Sequence, residues 1–316
     1  MNILFLQTAH SSNDDRVRYH QQVSLEEAGH SCSFACDTAE EYNQPEVVIC
    51  DTAKAIWKAR RKWGKSVRIV YDITEWYPSK KYLRNVHWFK RPFKWVAMAL
   101  ASYWTGWSAD AFLFGEYHKA RPFRILFPWK PYMILPYYPL LKYIPQTKPH
   151  DLINQVRLFY AGPKTEEKGF FRVRELVRLC EEKTPNTKFV LTVVNGLRYE
   201  EFCTELAKHD IFLDLRHADI ENTRCLPIKL FYYLAAGRPV IYSDLKAIRK
   251  GVPEIVEDSL VRPNDIQKAA FMVCELVKQP AKYTAICNRN RQLAEKRYNW
   301  ELQKEAFVQF IQSLKK

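Results

Sequence analysis

Glycine is scarce in this chain, at 9 of 316 residues, and none falls in a Gly-x-Gly-x-x-Gly or Walker-type loop. Both loops need glycines at fixed places so that the backbone can approach phosphate, so the common dinucleotide fingerprint and a P-loop ATPase are set aside. Long apolar runs are missing too. The longest uncharged stretch, Trp95 to Ala109, is fifteen residues, short of the eighteen or so that suggest a membrane span. The apolar start, Met1 to Gln7, is brief and lacks a basic segment, so it reads as a first core strand rather than a signal peptide. No Cys-x-x-Cys is present among the eight cysteines (Cys32, Cys36, Cys50, Cys180, Cys203, Cys225, Cys274 and Cys287), which read as buried thiols of a reduced compartment. A cytoplasmic location is expected. The eight histidines form no His-x-x-x-His pair and there is no Asp-x-Asp, so no bound metal is expected. Gly-x-Ser-x-Gly is absent, which leaves a serine hydrolase without support.

What is present is the composition of an ordinary globular protein, 47% hydrophobic and 27% charged, long enough for two domains. The net charge of +14 is unevenly placed. Residues 80 to 148 hold twelve Lys and Arg against only Asp110 and Glu116, together with 18 of the 45 aromatic residues. Trp88-Phe-Lys-Arg-Pro-Phe-Lys-Trp95 shows the mixture. Anionic lipid headgroups suit such a surface, because tryptophan settles at the bilayer interface and each nearby cation adds ~1 kcal/mol. Single-stranded nucleic acid is the weaker alternative and is not expected as a partner. A third reading makes the aromatics core residues and the charges a solvated rim.

Apolar runs of strand length alternate with segments of helical period, which predicts an α/β protein built on parallel sheets. Strands are expected at Ile3 to Leu6, Ser31 to Ala35, Val47 to Cys50, Arg68 to Tyr71 and Ala111 to Phe114, with helices at Arg16 to Ala28 and about Pro92 to Trp107. Pro136, Pro139, Pro145 and Pro149 then mark a linker. A second series follows: strands at Val156 to Ala161, Lys188 to Val194, Ile211 to Leu215 and Pro239 to Tyr242, with helices at Phe170 to Glu182 and Pro227 to Ala236. The expected domains are therefore 1-150 and 151-316, two Rossmann-like halves facing across a cleft. Ligands of such open sheets bind beyond the carboxyl ends of the strands.

One stretch carries the most chemistry, Leu226-Pro-Ile-Lys-Leu-Phe-Tyr-Tyr-Leu-Ala-Ala-Gly-Arg-Pro-Val-Ile-Tyr-Ser-Asp244. It resembles the donor-site signature of family 4 glycosyltransferases. Asp15-Arg-Val-Arg-Tyr-His-Gln-Gln is similar to that family's first helix, and Val70-Tyr-Asp-Ile-Thr-Glu-Trp-Tyr-Pro78 to its acceptor-side strand and loop. Phe159-Tyr-Ala-Gly-Pro-Lys-Thr-Glu-Glu-Lys-Gly169 resembles its phosphate loop, and Arg297-Tyr-Asn-Trp-Glu301 the start of its closing helix. The resemblance implies the two-domain GT-B fold and a retaining, hexosyltransferase-type transfer of sugar from a nucleotide-sugar co-substrate, without a further cofactor; the basic, aromatic first half points to a lipid-linked or polysaccharide acceptor. It would work in the cytoplasm, peripheral at the inner face of a membrane.

A departing nucleoside diphosphate gathers negative charge, so catalysis calls for fixed cations and helix N-terminal amides aimed at it. Lys168 suits that role, helped by Lys164, by Lys229 and by the helix that opens at Pro227. Arg216, after the strand ending at Asp214, is a further donor contact. On the acceptor side stand Asp72, Glu75 and Asp14. The family's Glu-x7-Glu motif is degenerate here, its two places being held by Arg224 and Tyr232. Arg224 is expected to replace a missing phosphate cation, with Lys168 and Glu75 beside it in catalysis, while Tyr232 offers one phenolic hydroxyl to the donor. Two rival readings remain: a non-catalytic binding partner of the same fold, and a GT-B type sugar-nucleotide epimerase.

Overall fold

A computed structural model describes residues 1–8, 14–36, 44–73, 80–83 and 85–315. Thr74 and Glu75 lie outside the described residues, so the expected acceptor-side role of Glu75 is not placed. Six strands form the first sheet: β1 (Asn2–Gln7), β2 (Ser31–Cys36), β3 (Val47–Cys50), β4 (Arg68–Ile73), β5 (Ala111–Phe114) and β6 (Tyr132–Ile134). Five form the second: β7 (Gln155–Ala161), β8 (Lys188–Val194), β9 (Ile211–Asp214), β10 (Val240–Ser243) and β11 (Leu260–Val261). The orders are β2-β1-β3-β4-β5-β6 and β11-β10-β9-β7-β8, and the described pairings are parallel. Strands covered on both faces must be apolar throughout. Accordingly β3, β5, β9 and β10 are buried along their whole length.

The larger helices are α1 (Val23–Glu27), α2 (Ala53–Trp63), α3 (Lys80–Leu83), α4 (Arg91–Ser108), α5 (Tyr117–Leu126), α6 (Phe170–Lys183) and α7 (Tyr199–Leu206). They continue with α8 (Ile220–Arg224), α9 (Ile228–Ala235), α10 (Lys246–Gly251), α11 (Val256–Ser259), α12 (Ile266–Lys278), α13 (Pro280–Arg297) and α14 (Glu301–Gln312). The helix expected from Arg16 is wound more widely at first, over Arg16–Gln22, before it tightens into α1. Local chemistry starts several of the others. The Thr52 hydroxyl accepts from the Ala55 amide at 3.1 Å and opens α2, and the Asp265 carboxylate accepts from the Lys268 amide at 2.9 Å and opens α12, each satisfying an orphan donor of a first turn.

The chain divides into two compact units, Met1–Tyr137 with Gln303–Lys316, and Tyr138–Leu302. The first is built on the six-stranded sheet, with a core that includes Leu4, Val48, Ile69, Phe112 and Phe114. The second is built on the five-stranded sheet, with Leu158, Val173, Leu213, Ile241 and Val273 at its centre. The sequence expectation placed the whole C-terminus with the second half. Instead the end of α14 belongs with the first unit, where Lys304 pairs with Glu27 and the Gln312 amide reaches the His30 ring at 3.2 Å. In each unit the strand order reverses beside the first strand, between β1 and β3 and between β7 and β9. Such switch points open a crevice at the carboxyl ends of the strands. Among the described residues no helix is long and apolar enough to cross a membrane.

Candidate active site

At the switch point of the second sheet β7 runs out at Ala161 and the chain turns through Gly162 into a loop that ends at Gly169, where α6 begins. Gly169 holds φ at +82°, and a Cβ there would stand 2.0 Å from the Leu215 carbonyl oxygen. Only glycine meets both demands, so the loop lies directly on the backbone that leaves β9. The loop is fastened further along. Tyr160 Oη sits 3.0 Å from the Pro163 carbonyl and 3.1 Å from that of Lys168. Arg172 donates to the Glu166 carbonyl at 2.8 Å, and the His217 amide donates to Glu167 at 3.3 Å.

Three cations gather here. Arg216 is buried and makes a two-pronged bond to Asp214, 2.8 Å on each arm, while the Tyr242 hydroxyl donates to the same carboxylate at 2.8 Å. Burial alone would lower the Arg216 pKa, but Asp214 and Tyr242 outweigh it and hold the guanidinium charged. Lys229, in the first turn of α9, donates to the Ala161 carbonyl, and its ammonium would lie 3.4 Å from a Cβ placed on Gly162. Burial lowers its pKa to about 8; Asp214 works against that fall, and the like charges of Arg216 and Lys168 add to it. Lys168 is half-buried at the end of the loop. Among the described residues Asp214 is the carboxylate that acts on Lys229, so the group carries surplus positive charge in a place where water cannot fully screen it.

The other residues read from the sequence fall in different surroundings. Pro227 is buried and caps α9. Lys164 is exposed, its ammonium 6.0 Å from the centre of the Phe170 ring. Arg224 is exposed at the end of α8, and its side chain makes no hydrogen bond or ion pair among the described residues. Tyr232 is turned inward, with its ring 6.1 Å from that of Tyr199 and 5.8 Å from that of Phe202. It therefore serves the packing of α9 on α7. Asp214, Tyr160 and Tyr242 were not singled out beforehand. A buried carboxylate ending an otherwise apolar strand, Ile211–Asp214, was the available signal.

Asp72, at the end of β4 in the first unit, is fully enclosed. Its Oδ2 accepts from Gln21 Nε2 at 2.9 Å and from the Tyr137 hydroxyl at 2.7 Å, and its Oδ1 is buried without a partner among the described residues. Burial raises its pKa, against the opposing pull of Arg16 and of the two hydrogen bonds. Arg16 lies over the Tyr137 ring at 4.6 Å and bonds Asp14 Oδ1 through Nε at 3.0 Å. Asp14, Arg16, Asp72 and Gln7 line one small cavity at the carboxyl ends of β1, β3 and β4. Asp14 and Asp72 are thus brought together, and Gln21, Arg16 and Tyr137 are neighbours that sequence reasoning missed, because a linker tyrosine meets a first-helix arginine only in the folded chain.

No family model matches the sequence, and no curated protein is similar to it in sequence. Among solved structures the chain is similar over 99% of each chain to sucrose-phosphate synthase from Thermosynechococcus elongatus, with 11% identity and a TM-score of 0.71. HepE of Anabaena, solved in complex with UDP-glucose, gives 12% identity and 0.65 over 99% of this chain and 100% of that one. WaaG, described as a glycosyltransferase involved in lipopolysaccharide biosynthesis, gives 14% and 0.65 over 98% and 99%. The chain has the GT-B fold. Within that GT-B frame the cationic group of Lys168, Arg216 and Lys229 belongs to the second Rossmann-like unit, at the crevice where open parallel sheets hold their ligands. The first GT-B unit carries the Asp14–Asp72 cavity at its own switch point.

Proposed function

We propose that this chain is a retaining, hexosyl-type glycosyltransferase that moves sugar from a nucleotide-sugar to a lipid-linked or polysaccharide acceptor. One observation carries the reading: Lys229 is half-buried against Gly162, beside Lys168 and Arg216, with a depressed pKa that an anionic ligand would restore. A pyrophosphate fits the need, since a buried ammonium gains most from a partner of opposite charge. The solved complex of the similar HepE with UDP-glucose supports a nucleotide-sugar as that ligand.

In this reading Lys229 and Lys168 bind the diphosphate of the donor. As the bond to the sugar lengthens, charge grows on the leaving oxygens, and cations already in place stabilise it without reorganisation. Arg216 is held in orientation by Asp214 and Tyr242 and raises the local potential. The acceptor hydroxyl attacks from the face the diphosphate leaves, which retains the configuration of the sugar, and its proton passes to the departing diphosphate oxygen. Asp14 and Asp72 take the acceptor side, at the small cavity they line. A non-catalytic reading is favoured by the inward packing of Tyr232 alone.

A panel of nucleotide-sugars, each tested for thermal stabilisation and for slow release of free diphosphate, decides between them. The transferase reading expects at least one compound to stabilise the protein and to be turned over. No stabilisation by any of them refutes it and leaves the non-catalytic reading.

A further inference from the structure

Helix α4 has its faces the wrong way round for a core helix. Phe93, Val96, Leu100, Tyr103, Trp104 and Trp107 recur at three- and four-residue steps and so form one stripe. In an ordinary globular unit that stripe would be covered. Here it is open: Phe93 is 78% exposed, Leu100 64% and Trp107 60%. The inward side carries small residues instead. Thr105 and Gly106 are its buried members, and Gly106 is pressed so closely on Phe127 that a Cβ would come within 2.3 Å of the ring. Lys130 fixes the helix end, its ammonium donating to the carbonyls of Gly106, Trp107 and Ala109 at 2.8, 2.5 and 2.5 Å. The stripe is therefore presented on a rigid helix rather than on a loose segment.

The flanks say what covers it. Trp88 before the helix is 73% exposed and Trp129 is 63% exposed, with the Trp129 ring 6.2 Å from that of Trp107, so tryptophans stand at both ends of the stripe. Lys90, Arg91 and Lys94 are exposed around the first turn, which has no acidic residue. Cations at the positive end of a helix dipole repel it unless an external anion is present. A second copy of the chain would bring the same surplus of positive charge over residues 80 to 148, whereas a sheet of anionic phosphates complements it. Apolar stripe, basic flank and interfacial tryptophans together describe a helix that lies in the headgroup layer.

We propose that α4 is the membrane-docking element of this protein, lying in the plane of an anionic bilayer with Phe93, Leu100 and Trp107 turned into it. This goes beyond the transferase reading and does not depend on it. The test uses the full chain with vesicles of phosphatidylcholine alone or with about one third phosphatidylglycerol. Co-sedimentation is expected with the anionic vesicles, weakening at least about tenfold between roughly 0.05 M and 0.5 M salt as the Debye length shrinks, with a blue shift of tryptophan emission. Leu100→Glu with Trp107→Glu, both at exposed positions, is expected to abolish the shift and reduce binding at least about tenfold. Lys90→Glu with Lys94→Glu is expected to remove the preference for anionic lipid. No sedimentation of the wild type, equal binding to neutral vesicles, or a wild-type dimer in solution that Leu100→Glu dissociates would each overturn the proposal. Stabilisation by nucleotide-sugar, followed in the same variants, is expected to be unchanged, so a failure here is distinguishable from a failure of the donor site.

Discussion

Replacing Lys229 by Met tests the cationic site where its physics is most exposed. The folded protein lowers this lysine from 10.5 to about 8, and a shift of that size corresponds to about 3 kcal/mol. Between those two values the unfolded chain holds a proton that the native one has released, so stability rises with pH across that window. Below about 8 the burial penalty is fully present. Lys229→Met removes it at neutral pH but leaves the Ala161 carbonyl without its donor, which costs ~1–3 kcal/mol. The free variant should therefore be as stable as the wild type, or more stable by up to about 2 kcal/mol. Binding should move the other way. Losing one charge-assisted hydrogen bond costs ~1.5–3 kcal/mol, roughly ten- to a hundredfold in affinity for a nucleoside diphosphate. Calorimetric titration with UDP at pH 7 and pH 9, in buffers of different ionisation enthalpy, measures both effects. Wild-type protein should take up a proton on binding near pH 8 to 9 and lose affinity as pH rises through 8, and the variant should do neither. A variant that binds UDP as tightly as the wild type, or that is strongly destabilised when free, refutes the assignment of Lys229 to the diphosphate.

Asp214→Asn leaves the buried Arg216 guanidinium without its counter-charge and should cost ~3–5 kcal/mol in urea unfolding, most of it recovered when Arg216→Leu is added. Gly169→Ala sets a methyl group 2.0 Å from the Leu215 carbonyl at a left-handed φ; thermal unfolding should show a loss of ~1–3 kcal/mol, and UDP titration a weaker site because the loop must lift off β9.

The alternation of strands and helices was legible because it rests on local physics. A parallel strand covered on both faces needs an apolar run such as Val47–Cys50 or Ile211–Asp214, and the helix that follows needs a period near 3.6. Pro227 and Gly237 punctuate the ends of α9 for similarly local reasons. The positions of Lys168 before α6 and of Lys229 in the first turn of α9 were legible, because Gly169 and Pro227 mark those helix starts locally. The surroundings of Tyr232 and Arg224 were not, since they depend on which way α9 and α8 turn once packed. The same holds for Asp72, whose neighbours Gln21 and Tyr137 are 51 and 65 residues away along the chain.

What the amino-acid order determined by itself is the succession of elements, the uneven distribution of charge and the two glycines that bound the loop between β7 and α6, all properties of short windows. Only tertiary structure decided that the chain from Gln303 onward joins the first unit, that Asp214 neutralises Arg216 and leaves Lys229 and Lys168 in surplus, and that the apolar stripe of α4 faces outward. Hydrophobic periodicity tells that a helix has a sticky side, but burial is a property of the neighbours, and the small side chains at Thr105 and Gly106 let the closer packing win on the opposite face.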